Sequence, residues 1–309
     1  MADGGKNIRP AGTPTGRPRT ELTTPMPVFA AIAAVAVLSI MDAVIKEAGA
    51  RLDTPQVVML RYAFGLLAVL PIALSGRVAL PTRGTFRRAS LRVAFTISTA
   101  FLFFKTLTLL PLAEAVAITF TAPFFMLLAS RILLGEAMPP KALSAIAVGF
   151  VGVVVMVIGR GGFDEGLGSW LGYVTGLGCS VTYALSMILM RRDAGHDPVV
   201  ALVLAQNLTA FLASVPFGLA VWTTPSAETV WLFVAAGALG TAGHLCFAFA
   251  YGRAPASRLA PLEYTAFLWA TVFGAMFFGE VPSAWTLAGA ALIVGACLMV
   301  MGRPAADEA

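Results

Sequence analysis

Ten separate apolar runs divide this chain, at about 26–48, 55–75, 90–110, 111–134, 140–158, 169–190, 199–222, 228–250, 256–279 and 284–302. A helix needs roughly 20 consecutive apolar residues to cross the hydrocarbon core of a bilayer. Inside that core each backbone N–H and C=O must be satisfied within the segment itself. Ten such runs in 309 residues leave only short connections, which hold most of the Gly, Pro and charge. The composition agrees: hydrophobic residues make up 58% and charged residues 12%, where a soluble domain carries about 25% charged residues. The chain is read as an all-α membrane protein of ten transmembrane helices.

Orientation follows from where Lys and Arg fall, because cytoplasmic loops retain them. With the N-terminus in the cytoplasm, the cytoplasmic segments hold sixteen of the 21 Lys and Arg residues, among them Arg83, Arg87, Arg88 and Arg92. The outer segments hold only Arg51 and Arg160, and Lys46, Arg61 and Lys105 fall within spans. Both termini are therefore expected in the cytoplasm, with tails at 1–25 and 304–309. The formal charge of +5 is a topology signal, so nucleic acid is not needed to explain it. The first run is too long for a signal-peptide core and has no small-residue cleavage site before Asp42, which makes it an uncleaved first helix.

Several chemistries find no support. Cys179, Cys246 and Cys297 lie inside apolar runs and form no CxxC pair, and two histidines are too few for a histidine-rich metal site. No GxxxxGK[ST], GxSxG, HExxH or GxGxxG is present. No cofactor or metal is expected, and transport driven by ATP through a P-loop is excluded.

One segment is written twice. LLPLAEAVAITFTAPFFMLLASRILLGE (109–136) and RAPASRLAPLEYTAFLWATVFGAMFFGE (253–280) have the same length and the same Gly-Glu ending. An offset of 144 aligns Pro111 with Pro255, Thr121 with Thr265, Ala122 with Ala266, Gly135 with Gly279 and Glu136 with Glu280. Past a one-residue gap, VMVIGR (155–160) answers LMVMGR (298–303). The two copies are the fourth and ninth runs, so the chain divides into halves of five at 26–160 and 168–303. An odd number of helices per half puts the second half into the membrane upside down, the architecture of alternating-access carriers.

On the run LPLAEAVAITFTAPFFMLLASRILLGEAMPPKALSAIAVGFVGVVVMVIGR and its partner at 253–303, the chain resembles the drug/metabolite transporter superfamily, in its EamA-type ten-helix members. The resemblance spans about 26–302. It implies a five-plus-five inverted repeat, a bacterial inner-membrane location and transport of small organic solutes. The opening helices, MDAVIKEAGARLDTPQVVMLRYAFG, look similar to branches that include S-adenosylmethionine and riboflavin uptake carriers.

Charges inside a membrane cost at least ~2.5 kcal/mol each and default to functional hypotheses. Asp42 and Lys46 share a helix face at i and i+4 and are expected to pair. With Arg61, Lys105 and Glu114 they are expected at the outer side of the first half. His244, Glu263, Tyr264, Gln206, Asn207 and Tyr183 are expected toward the cytoplasmic side of the second half, so that two polar groups sit at opposite depths. Glu263 follows Pro261, and a carboxylate beside a bend suits proton coupling. Trp269 is a stacking surface for a planar substrate. Gly172 and Gly176 form a GxxxG for close helix packing.

These readings converge on a secondary transporter for a small zwitterionic or planar polar metabolite, such as an amino-acid-like compound, S-adenosylmethionine or a riboflavin-type vitamin. It is expected to have no enzymatic activity, to work as a monomer or homodimer, and to couple to a proton, a cation or the solute gradient. The alternatives are a membrane-embedded enzyme acting on lipid-linked substrates and a non-transporting scaffold or channel.

Overall fold

The computed structural model describes residues 26–75, 80–134, 142–159, 167–193, 198–251, 253, 259 and 262–301, and among these it contains helices and no strand. The helices are α1 (Met26–Gly49), α2 (Thr54–Leu74), α3 (Arg83–Leu109), α4 (Leu112–Thr119), α5 (Ala122–Leu134), α6 (Ala142–Gly159), α7 (Leu167–Asp193), α8 (Val199–Ala220), α9 (Ala227–Tyr251), α10 (Ala266–Phe278) and α11 (Ala284–Met301). Seven stretches are long and apolar enough to cross a membrane, with α4 and α5 counted together as Leu112–Leu133. Three shorter apolar helices, Leu143–Gly159, Ala266–Phe278 and Ala284–Met299, accompany them. The chain is a multi-pass membrane protein.

Local sequence explains where these helices begin and break. α3 starts at Arg83 rather than near residue 90, because Thr82 and Thr85 form a reciprocal capping box at its N-terminus. Its first turns therefore lie outside the apolar run and carry arginines. The fourth run is not one helix but two. At Phe120–Thr121 the ladder tightens to a three-residue step, with the Thr121 N–H and hydroxyl both donating to the Ile118 carbonyl. In the second copy Tyr264–Thr265 turn in the same way, and the Thr265 N–H and hydroxyl both donate to the Leu262 carbonyl. Those positions are 144 residues apart, the offset of the sequence repeat. Pro261, expected to bend this helix, lies outside the described residues.

Helix packing pairs elements of residues 26–159 with elements of residues 167–301. α1 packs on α9, and α7 packs on α3; α2 packs on α8, and α6 packs on α11. The α3–α7 contact is antiparallel and carries hydroxyl pairs at Thr96–Ser186, Thr99–Thr182 and Thr106–Thr175, polar links of the sort that join helices in lipid. Gly172 and Gly176 face Leu110 and Ile118, as their spacing suggests.

α6 and α11 cross backbone to backbone. A Cβ on Gly289 would lie 2.5 Å from the Gly152 carbonyl oxygen, and one on Gly152 would lie 2.7 Å from the Gly289 oxygen. Since backbone cannot rotate away, Gly289→Ala should force the helices apart and cost about 1–3 kcal/mol, the usual range for overpacking. A lowered unfolding temperature of the purified variant in detergent checks this, and an unchanged one contradicts the close crossing.

Candidate substrate site

The most buried charge outside the helix ends is Arg61 on α2, 6% exposed. Glycines make room for it. A Cβ on Gly65 would lie 2.6 Å from Arg61 Nη1 and 2.6 Å from Asn207 Oδ1, and a Cβ on Gly240 would collide with Arg61 Nη2. Gly65, Asn207 and Gly240 stand near the midpoints of α2, α8 and α9. The guanidinium has thus reached about a full turn along α2, from roughly a third of the helix, where its Cα sits, to the midpoint. The Tyr62 ring lies 5.7 Å from it. Arg61 Nη1 is buried and has no hydrogen-bond partner among the described residues.

Other candidates gather around this centre. Asp42 on α1 and His244 on α9 both act electrostatically on Arg61 or are acted on by it. The His244 ring bonds the Gly240 carbonyl through Nδ1 at 2.5 Å. A carbonyl only accepts, so Nδ1 carries the proton and Nε2 is left as the free ring nitrogen. From Asp42 the coupling runs to Cys179, then to Tyr183, and from Tyr183 to Glu263, which acts on Tyr264 in turn. Electrostatic links thus join His244 to Arg61, and Asp42 to Glu263 through Cys179 and Tyr183, across the two groups named from the sequence.

At the end of this string the two helix breaks touch. The rings of Phe120 and Tyr264 meet edge to face at 5.0 Å. Cys297 on α11 donates to the Phe120 carbonyl at 3.2 Å and is hydrogen-bonded with the Tyr264 hydroxyl. Three candidates stand apart from the string in their contacts. Gln206 accepts a 2.9 Å hydrogen bond from Arg92 on α3. Trp269 stacks on Phe273 at 5.9 Å, and its buried indole N–H has no partner among the described residues. Lys105 is half-buried, and no described residue forms a hydrogen bond or ion pair with its ammonium.

Lys46 corrects the expected Asp42–Lys46 pair. Its ammonium binds Glu280 Oε1 at 2.5 Å and donates to the Leu110 carbonyl at 2.7 Å. Glu280 Oε2 accepts the Leu112 N–H at 2.8 Å. The carboxylate therefore caps the positive N-terminus of α4, and the ammonium caps the negative C-terminus of α3, which are the favourable senses for both charges. Gly279 supports this by adopting φ 67°, a left-handed cap that turns Glu280 back toward the bundle. Its counterparts Gly135 and Glu136 lie outside the described residues.

The same end of the bundle, where α1 stops, is fastened at further points. Gln56 accepts the Thr223 N–H at 3.0 Å and donates to its carbonyl at 2.6 Å. Arg51 bridges Glu47 and Glu228, and buried Glu114 accepts from Tyr173 at 3.0 Å and Thr286 at 2.9 Å. Each of these links except Arg51–Glu47 joins the first half to the second.

A bundle of apolar spans, with two broken helices meeting beside a cluster of polar side chains, is the arrangement of an integral membrane transporter. Residues 25–158 and 170–302 match the sequence profile of the EamA-like transporter family, and the chain belongs to that family. It is 28% identical over 275 residues to a pseudopaline exporter of Pseudomonas aeruginosa strain UCBPP-PA14, covering 88% of this chain and 94% of that one. It is 28% identical over 245 residues to a riboflavin transporter of Rhizobium johnstonii, covering 78% of each. An S-adenosylmethionine uptake transporter of Rickettsia prowazekii is 25% identical over 274 residues, covering 85% of this chain and 88% of that one. A protein crystal structure with 22% sequence identity superposes with a TM-score of 0.56 over 88% of this chain and 94% of its own, a likeness of fold.

Proposed function

We propose that this protein is a secondary carrier that moves a small organic metabolite across the bacterial inner membrane by alternating access. Its ten spans act as two inverted halves, 26–160 and 168–303, with both termini in the cytoplasm. The observation that carries this reading is the pair of helix breaks at Phe120–Thr121 and Tyr264–Thr265, aligned by the repeat and in ring contact. Discontinuous helices at a repeat interface are where such carriers hold substrate and coupling ion.

The exchange of packing partners between halves supports the inverted arrangement, and the conformation described is the one closed at the Lys46 end. On this topology that end faces outward. The carried solute is a zwitterionic or planar polar metabolite, in keeping with relatives named for pseudopaline, riboflavin and S-adenosylmethionine. Glu263, one residue before the second break and in electrostatic reach of Tyr183 and Tyr264, is the proton-coupling carboxylate. A membrane enzyme on lipid-linked substrates would gather its acids and histidine at one face. Asp42, His244 and Glu263 come instead from three separate segments and none is fully exposed, which supports the carrier reading.

The test is uptake of labelled S-adenosylmethionine, riboflavin and amino acids into proteoliposomes. Asp42→Asn, Lys105→Ala and Glu263→Gln are expected to fold and to lose most of the flux, with Glu263→Gln also losing its dependence on an imposed pH gradient. Normal transport by all three variants would overturn the assignment of these residues.

A further inference from the structure

We infer that Arg61 and Asp42 form a receptor for a zwitterion, with the arginine taking a carboxylate and the aspartate an ammonium group. The inference rests on the carrier reading and narrows its substrate: the solute must bear a carboxylate, which excludes uncharged planar compounds as the preferred cargo.

The argument begins from what these two residues fail to do. They are residues of opposite charge type that act on each other electrostatically, Arg61 buried and Asp42 half-buried, and Gly240 lies against both the guanidinium and Met41, the residue before Asp42. Yet among the described residues Asp42 makes no hydrogen bond and no ion pair, and Arg61 Nη1 is buried without a partner. A structural ion pair in a low-dielectric interior closes, because leaving either charge unpaired there is costly. A pair held open is a receptor whose missing partners arrive with the ligand.

The surroundings keep it open. Glycine at 65 and 240 seats the guanidinium between α2 and α9, where any Cβ would meet it. Met41, Tyr62 and Asn207 complete the wall, and none of them supplies a negative charge. His244, another ionisable neighbour of Arg61, already spends Nδ1 on Gly240. Arginine's planar fork matches a carboxylate in two-point fashion, which a lysine at this position would not do.

The experiment is a thermal-shift and binding series on the purified full-length chain in detergent. The probes are L-methionine, L-phenylalanine and S-adenosylmethionine, each beside its decarboxylated amine, with riboflavin added. Binding by at least one of the acids is expected, and removal of its carboxylate should weaken binding about a hundredfold, the scale of losing one partner of a desolvated charge pair. Arg61→Gln should erase the difference between acid and amine, and Arg61→Lys should retain part of it. Asp42→Asn should weaken the acids while a matched N-acetyl compound, which has no ammonium, is unaffected. If Arg61→Gln does not fold, the paired probes on the unaltered chain and on Asp42→Asn still decide the matter.

Equal binding of acid and amine, tightest binding of riboflavin, or binding of no probe at all overturns the inference. Flux separates it from the broader reading. A protein that carries riboflavin and ignores the zwitterions remains a carrier and loses this receptor. One that binds zwitterions through Arg61 and moves nothing keeps the receptor and loses the carrier.

Discussion

Glu280→Ala is expected to unfasten the closed end of the bundle. In the native protein one carboxylate serves two partners, the Lys46 ammonium at 2.5 Å and the Leu112 N–H at 2.8 Å. Its loss strips a charge-assisted bond from the start of α4 and takes the carboxylate away from an ammonium only 12% exposed. Breaking one side of a fully buried pair costs about 3–5 kcal/mol, and the partial exposure here brings the expectation to roughly 2–3 kcal/mol. A double variant, Lys46→Met with Glu280→Met, should recover part of that, because no buried charge is stranded. The conformational effect should exceed the effect on stability. With this tie gone, a membrane-impermeant maleimide added from outside should label Cys179, buried beside Asp42 and Tyr183, faster than in the native protein. Equal stability and equal labelling would show that the Lys46–Glu280 contact holds nothing shut.

Phe120→Ala should be the most damaging apolar substitution near the site. The Phe120 ring is 8% exposed, packs edge to face on Tyr264, and sits where α4 gives way to α5. Truncating a buried phenylalanine costs about 3–5 kcal/mol through lost burial and the cavity left behind, and an aromatic pair of this geometry adds roughly 0.5–1.5 kcal/mol. The partner ring separates packing from chemistry. Tyr264→Phe keeps the ring contact and removes only the bond to Cys297, so its stability should stay within about 1 kcal/mol of native. A loss of 3 kcal/mol or more in Phe120→Ala with near-native Tyr264→Phe, read from thermal unfolding in detergent, is the expected pattern. A mild Phe120→Ala would mean that the two breaks do not support each other.

The membrane class was legible in the sequence because lipid imposes one simple rule on the backbone, and runs of about 20 apolar residues obey it visibly. The repeat was legible too, and Thr121 and Thr265, where the two helices break, are among its few identities. The breaks themselves were not. Each depends on a threonine hydroxyl folding back on a carbonyl three residues earlier, a choice that a threonine in an apolar run does not announce.

Side-chain partners were the hardest to read. Lys46 and Asp42 fit the local rule for a helix pair, but Glu280, 234 residues away, wins because it sits at two helix ends whose dipoles favour the exchange. Arg92 was read as a cytoplasmic topology charge, and its hydrogen bond to Gln206 needs the packing of α3 on α8 to exist. Arg61 is recognisable in the sequence as a charge within a span, while the reach of its guanidinium to Gly65 and Gly240 is not.

Counterflow is the measurement that bears most directly on the central claim. Proteoliposomes loaded with unlabelled S-adenosylmethionine, riboflavin or an amino acid are diluted into a trace of the same labelled compound, with no ion gradient or energy source. A carrier that exposes one site alternately to each side will accumulate label transiently above its outside concentration for at least one of these solutes, and Asp42→Asn should abolish the overshoot. Simple equilibration of label without overshoot, in a protein shown to pass the solute, would contradict alternating access and mark this bundle as a channel.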